Sequence, residues 1–334
     1  MPERGAAHPP SIYDVARAAG VSTATVSRTF SRPGRVGAET AERVLAAAAT
    51  LGYRARLHTQ RGSAPTGMIA LLLTDIANPG YLEIIRGCED AASAAGFTLL
   101  LANTQESAAR ERVAMERAIP NVDGLVLTSS RMTDSAIRQI AKQRPMVVLN
   151  RAVQGVPSVV HDNVRGMRYA LTHLAELGHR QVTYVAGPEA SWADGLRWSS
   201  LRTVAAELGV RVRRVGPVAP TVEGGVQGAA LWGEHPTSGV VAFNDLVAVG
   251  FIHAARASGN QTPDDVSVVG FDNANVAELV SPRLTTVASP LHAVGETAVR
   301  NVIALIGGAS SWTGEPLVLP TKLVVRESTG RAPG

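Results

Sequence analysis

Two kinds of spacing divide this chain. Over residues 11–51 small apolar residues recur at helical intervals, and from Met68 onward short apolar runs alternate with longer amphipathic stretches. The first region predicts three helices. Ser11 can cap the first, with Asp14 three residues on as in a capping box, and Val15, Ala16 and Ala19 give it an apolar face. Gly20 stands where the chain must turn sharply, which favours a residue free to enter left-handed backbone. Ser22 can cap a second helix, TATVSRTF, whose Val26 faces back while Thr23, Ala24, Thr25 and Arg28 stay outside. Residues 37–51 give a third helix with Val44, Leu45 and Ala48 inward. The first two helices read as a helix-turn-helix, which lays its second helix in the DNA major groove. The alternative is an αα-hairpin from a helical bundle.

In the second region MIALLLT (68–74), FTLLLAN (97–103), GLVLTS (124–129) and MVVLN (146–150) predict strands, with helices near 79–95 and 107–118. A second series follows: QVTYVAG (181–187), VRVRRVG (210–216), GVVAFN (239–244) and VSVVGFD (266–272), alternating with helices over 165–177, 195–208, 224–233 and 245–258. A helix near 291–306 and a strand-like stretch, 315–328, close the chain. Strands alternating with helices imply parallel sheets, and two such series predict two α/β lobes with a cleft between them. RARLHTQRGSAPTG (54–67) is polar, basic and then Gly- and Pro-bearing, the composition of a linker.

Charge sharpens the reading of the N-terminal segment. Residues 1–63 hold nine arginines against four acidic side chains, a net of +5, whereas the whole chain carries only +4. The entire positive excess therefore sits on the helix-turn-helix, the electrostatic footprint of phosphate binding. The lone Cys88 excludes an internal disulfide framework and points to a reducing compartment. The N-terminus MPERGAAHPP has no apolar core of a signal peptide, and no apolar run approaches membrane-helix length. A soluble, cytoplasmic protein is expected.

Enzyme signatures are missing. The only lysines, Lys142 and Lys322, follow Ala141 and Thr321, so no Gly-Lys phosphate loop exists. There is no G-x-G-x-x-G after the first strand, no H-E-x-x-H and no G-x-S-x-G. The eight histidines lack metal-ligand spacing, and His173 and His179 read as solvated or capping groups at a helix end. No cofactor, metal or catalytic residue is expected.

SIYDVARAAGVSTATVSR, MIALLLTDIANPGYLEIIRG, HDNVRGMRYALTHLAELGHRQVTYVAGP, FNDLVAVG and DDVSVVGFDN together resemble the lactose-repressor/galactose-repressor family of bacterial regulators. The match runs from about Ser11 to Ser328, with the motifs in the family's order. It implies a helix-turn-helix headpiece (1–53), a hinge (54–66) and a core like a periplasmic sugar-binding protein. The chain would cross between lobes near Asp162, Ser289 and Pro320. The first lobe would hold 67–161 and 289–319, the second 162–288 and 320–330. It implies a homodimeric, ligand-responsive repressor on a near-palindromic operator. The competing reading is a solute-binding transport component, which has no use for residues 11–53.

The resemblance also nominates residues. Thr23 and Ala24 match the two recognition-helix positions that face base edges; Arg28 matches a later arginine that could pair with guanine or contact phosphate. Ser22 and Ser27 suit capping and phosphate positioning, and Thr25 and Arg35 complete the headpiece set. At the hinge the family's Pro-Asn is replaced by Ala55-Arg56, and Gly62 stands near the expected minor-groove leucine. Leu57 is out of register, so Arg54, Arg56 and Arg61 could track phosphates, or the segment could be a plain linker. In the cleft, Arg197 lies nine residues after Pro188, where the family places an arginine on the ligand. Asn244 and Asp272 end adjacent strands, at the carboxyl edge where open α/β sheets bind ligands, and Thr128 and Asn150 end two strands of the other lobe. An arginine with an Asp and an Asn suits vicinal hydroxyls, although Arg197 and Asp272 could equally form a structural salt bridge. Tyr81 and Trp192 could stack on a pyranose-like face or serve lobe packing. Pro220 occupies a position where the family often has an aromatic. A sugar effector is the expectation.

Overall fold

The computed structural model describes residues 11–31, 36–51, 65–309 and 314–333. The chain divides into two compact units, Met1–Thr66 with Ile303–Ser311, and Gly67–Val302 with Trp312–Gly334.

The headpiece elements are α1 (Ile12–Ala19), α2 (Thr23–Ser31) and α3 (Ala38–Leu51). Their ends follow from local chemistry. The Ser11 N–H donates to Asp14 Oδ2 at 2.8 Å, Gly20 takes φ +64 and closes α1 against the Ala16 and Arg17 carbonyls, and Ser22 Oγ accepts from the Thr25 N–H at 3.1 Å. Val15, Ala16, Ala19, Val26, Val44 and Ala48 form the core beneath them. One inward position is corrected: Leu45 is 49% exposed. Val44, Ala47 and Ala48 share a helical face, which turns Leu45 toward solvent.

The larger unit contains two six-stranded sheets of matching order. The first runs β11-β5-β4-β3-β1-β2, the second β12-β10-β9-β8-β6-β7. The first comprises β1 (Met68–Leu73), β2 (Thr98–Asn103), β3 (Gly124–Thr128), β4 (Met146–Leu149), β5 (Ser158–His161) and β11 (Leu317–Leu319), all parallel. The second comprises β6 (Gln181–Val185), β7 (Arg211–Val215), β8 (Gly239–Ala242), β9 (Ser267–Asp272), β10 (Thr285–Ala288) and β12 (Lys322–Val324), with β12 antiparallel to β10. The chain therefore changes sheet three times: between β5 and β6, between β10 and β11, and between β11 and β12.

Interior strands such as β3 and β8 are buried along their whole length, as parallel strands covered on both faces must be. The covering helices are α4 (Gly80–Ala94), α5 (Ala108–Ala118), α6 (Asp134–Ala141), α7 (Asn163–Glu176), α8 (Trp192–Leu208), α9 (Val222–Gly233), α10 (Asp245–Ala257), a short α11 (Val276–Leu279) and α12 (Leu291–Ile306). On α12, a Cβ at Gly295 would lie 2.2 Å from the Ile84 carbonyl oxygen of α4, and one at Gly87 would lie 2.0 Å from that of His292. Two helices approach this closely only over reciprocal glycines. The strand-like stretch 315–328 is in fact β11 and β12, split at Pro320-Thr321. His179 is fully buried, with its ring nitrogens 2.8 Å from Ser238 Oγ and 3.1 Å from the Gly330 carbonyl oxygen. Residues 179 and 330 thus tie the C-terminal segment to the second sheet, and the solvated reading is wrong.

Candidate functional site

Each sheet has its first strand flanked on both sides, β1 by β2 and β3, β6 by β7 and β8. Ligands of open α/β sheets sit beyond the carboxyl ends at such a switch point. Here both sets of carboxyl ends line one cavity. From the first lobe come Tyr81, Glu106, Ser129, Arg131, Asn150 and His161; from the second come Ser191, Arg197, Pro220, Phe243, Asn244 and Asp272.

Arg197 organises the second-lobe wall. Its Nε donates to Asn163 Oδ1 at 2.8 Å, Nη1 to the Phe243 carbonyl oxygen at 2.5 Å, and Nη2 to His161 Nε2 at 3.2 Å. The guanidinium carbon lies 3.5 Å from the centroid of the Phe271 ring and 5.1 Å from that of Phe243. Nη2 is also 3.7 Å from Asp272 Oδ1. Burial raises the Asp272 carboxyl to a pKa of about 6, with the Arg197 charge opposing the rise. Behind it Asp245 is buried. The Thr286 hydroxyl donates to its Oδ1 at 2.6 Å and the Ala274 N–H to its Oδ2 at 2.7 Å. Burial, reinforced by the neighbouring Asp272 charge, pushes Asp245 up to about 8.

The first-lobe wall has its own ion pair. Arg131 Nε donates to Glu106 Oε2 at 2.6 Å, Nη2 lies 2.6 Å from the same oxygen, and Nη1 donates to the Ser129 carbonyl oxygen at 3.1 Å. Backbone strain concentrates here: Glu106, Ser129, Asn150 and Asp272 line the cavity with φ of 57, 46, 59 and 106°. Left-handed backbone in non-glycine residues costs free energy and clusters at sites of function.

Of the residues nominated from sequence, Tyr81, Asn150, Arg197, Asn244 and Asp272 line this cavity together; Thr128 and Trp192 are not among its lining residues. The Thr128 hydroxyl donates to the Leu72 carbonyl oxygen of the adjacent strand at 2.9 Å, so Ser129 takes its place on the wall. Trp192 opens α8, and the face presented to the cavity is that of Ala193 and Arg197, four residues apart. Tyr81 has its hydroxyl 2.5 Å from Thr74 Oγ1 and is 8% exposed, so its ring is held in place rather than free to swing. Asn244 is partly spent on structure, accepting from the Val247 N–H and donating to the Pro220 carbonyl oxygen. Glu106, Ser129, Arg131, His161 and Phe243 went unnominated, although each lies at or just beyond a strand's carboxyl end. Among the described residues no group of His, Cys, Asp and Glu could hold a metal ion, and no helix is long and apolar enough to cross a membrane.

In the headpiece, Ser22, Ala24, Ser27 and Arg28 are exposed, and Thr23 and Thr25 half-buried. The Thr25 hydroxyl lies 2.9 Å from Ser22 Oγ within the cap. Arg35, Arg54, Arg56, Arg61, Leu57 and Gly62 lie outside the described residues.

Comparison with known proteins bears on both units. The family described as "Bacterial regulatory proteins, lacI family" matches residues 11–55, and "Periplasmic binding protein-like domain" matches 171–329. The ribose operon repressor of Halalkalibacterium halodurans is 36% identical, over 96% of this chain and 97% of that one. The chain belongs to the lacI family. Its fold, a helix-turn-helix headpiece with a two-lobed α/β core, is that of these DNA-binding transcriptional regulators. Among solved structures, a transcriptional regulator CelR–cellobiose complex is similar, with a TM-score of 0.71 and 30% identity over 96% of this chain and 99% of that one. So is a lacI-family regulator from Enterococcus faecalis V583 with bound ribose, with a TM-score of 0.71 and 30% identity over 79% and 98%.

Proposed function

We propose that this lacI-family regulator is a sugar-responsive repressor that binds a near-palindromic operator as a homodimer, with its effector in the cavity between the two sheets. The observation that carries the reading is the Arg197–Asp272 pair on the wall of a cavity lined from both lobes. A guanidinium with a carboxylate and neighbouring Asn150 and Asn244 amides suits adjacent hydroxyls. A ligand touching both lobes has different affinity for open and closed states, which is what shifts an equilibrium between them. That a ribose operon repressor is among the relatives and that two similar structures hold cellobiose or ribose supports a sugar.

In this reading Thr23 and Ala24 face base edges, Arg28 reads guanine or holds phosphate, and Ser22, Thr25 and Ser27 position the backbone. The headpiece spans 1–53 and the hinge 54–66, with lobes of 67–161 plus 289–319 and 162–288 plus 320–330. The protein acts in the cytoplasm and performs no catalysis. The test is fluorescence anisotropy of the full chain on DNA from its own promoter, repeated with d-ribose and other free sugars. Salt-sensitive binding that a sugar changes is expected, with Asp272→Asn retaining DNA binding and losing the sugar response. Full response in both Asp272→Asn and Arg197→Lys refutes the cavity assignment.

A further inference from the structure

Two buried polar atoms on the cavity wall have no partner among the described residues, and they are of opposite kind. His161 ends β5 and Asn150 follows β4, the strand paired beside it. His161 is 3% exposed. The Arg197 Nη2 lies 3.2 Å from its Nε2, and a guanidinium can only donate. Nε2 is therefore the lone-pair nitrogen. Burial, with the Arg197 charge second, pushes the ring's pKa down to about 3, so the imidazole is neutral and its one proton sits on Nδ1. Among the described residues no acceptor meets that N–H with hydrogen-bond geometry, the nearby Asn163 side chain acting only to oppose the fall in the ring's pKa. At Asn150 the amide nitrogen donates to Ser129 Oγ at 3.3 Å, which leaves Oδ1 as an acceptor that no donor among the described residues meets. Buried polar groups are otherwise almost always paired.

The charges on the same wall limit what can answer these atoms. Arg131 is held at two of its nitrogens by Glu106, and Arg197 lies beside Asp272. Each cavity arginine thus has its own carboxylate, and among the described residues no uncompensated cation lines the space to receive a phosphate.

We propose that His161 is a specificity-determining residue for an uncharged, unphosphorylated sugar. Its Nδ1–H, fixed by Arg197, donates to one effector hydroxyl oxygen while Asn150 Oδ1 accepts from an effector hydroxyl. The proposal rests on the effector reading above and deepens it. Arg197 acts here as a positioning residue: by occupying Nε2 it decides which nitrogen of His161 faces the ligand.

The experiment is calorimetric titration of the full chain with d-ribose, d-xylose, d-glucose, d-galactose and cellobiose. The sugar that binds is then compared with its monodeoxy analogues and its phosphate ester, in wild type and in His161→Leu. One deoxy position is expected to cost wild type roughly tenfold or more in affinity. His161→Leu is expected to lose discrimination at that position alone, and the phosphate ester to bind at least tenfold more weakly than the free sugar. Wild-type discrimination retained by His161→Leu at every position, or tighter binding of the phosphate ester, overturns the proposal. A second measurement does not depend on the variant folding: long-range ¹H–¹⁵N spectra of ¹⁵N-histidine-labelled protein. An Nδ1–H tautomer whose proton shifts on sugar addition supports the proposal; an Nε2–H tautomer or a charged ring overturns it. If no sugar of the series binds wild type, the effector reading falls, and the assignment of His161 with it. That result is distinct from sugar binding with unaltered discrimination.

Discussion

Replacing Arg197 by leucine should strongly destabilise the second lobe. The side chain is 3% exposed and supplies a donor to Asn163 Oδ1, the Phe243 carbonyl and His161 Nε2. Leaving a buried acceptor unmet costs about 1–3 kcal/mol. The adjoining cavity can admit water, so the three together fall near the low end, about 3 kcal/mol. Losing the cation between Phe243 and Phe271 adds about 2 kcal/mol. Against this, the variant escapes the cost of burying a guanidinium, so the expected net loss is about 3–5 kcal/mol, the range seen when one partner of a buried pair is removed. Arg197→Lys keeps the charge, but a single ammonium cannot span three acceptors, and it should recover less than half of the loss. Urea unfolding followed by tryptophan emission reads both variants, since Trp198 of the same helix stacks on Tyr184 with ring centroids 6.0 Å apart. A loss below about 1 kcal/mol for Arg197→Leu, under the ~1–3 kcal/mol of even one unmet acceptor, or full recovery by Arg197→Lys, would refute the reasoning.

Four further outcomes are expected. The Asp245 pKa, about 8 in the native state against an ordinary 3.8, means that the folded protein holds a proton that the unfolded chain has released. The stability this contributes is lost as pH rises through the native value. The urea midpoint should therefore fall as pH rises from 7 to about 8 in wild type and level off above it, while staying level over the same range in Asp245→Asn; parallel curves would contradict this. Gly87→Ala forces a Cβ to within 2.0 Å of a backbone oxygen of α12 and should destabilise by about 1–3 kcal/mol or more. Gly195→Ala, in the first turn of α8 with nothing within 4 Å, should stabilise by up to about 0.5–1 kcal/mol, both read by denaturant midpoint. Arg28→Ala should weaken operator binding by roughly 1–3 kcal/mol per half-site if it reads guanine, and lower the salt slope if it holds phosphate, both read from anisotropy at several salt concentrations.

The headpiece was legible because its instructions are local. Ser11 with Asp14, Gly20 and Ser22 act within four residues of themselves, and each does what its type dictates. The long buried strands were legible as apolar runs. β5 and β10 were not, because Ser158, Thr285 and Thr286 break the apolar signal although all are buried. α6 carried a signal that went unused: Thr133 caps it through the Ala136 N–H, with Ile137 inward. In the cavity, Arg197, Asn150 and Asp272 followed from motif position and strand ends. His161, Arg131 and Glu106 did not, because their importance lies in contacts to partners remote in sequence. Arg131 meets Glu106 across 25 positions and His161 meets Arg197 across 36, and no periodicity records such meetings.

The three changes of sheet have a consequence for how the chain matures. The first sheet opens at Met68 and is completed only by Leu317–Leu319; the second is completed by Lys322–Val324. During synthesis, at about 5–20 residues per second, neither lobe can finish before nearly the whole chain has left the ribosome. Until then β5 and β10 stand as unpaired edges. Both are buried throughout in the finished protein, and exposed apolar edges are templates for pairing with other chains. A chain ending just before Leu317 would therefore not be a regulator short of a few residues. It would be two unfinished sheets, and its fate would be aggregation or proteolysis.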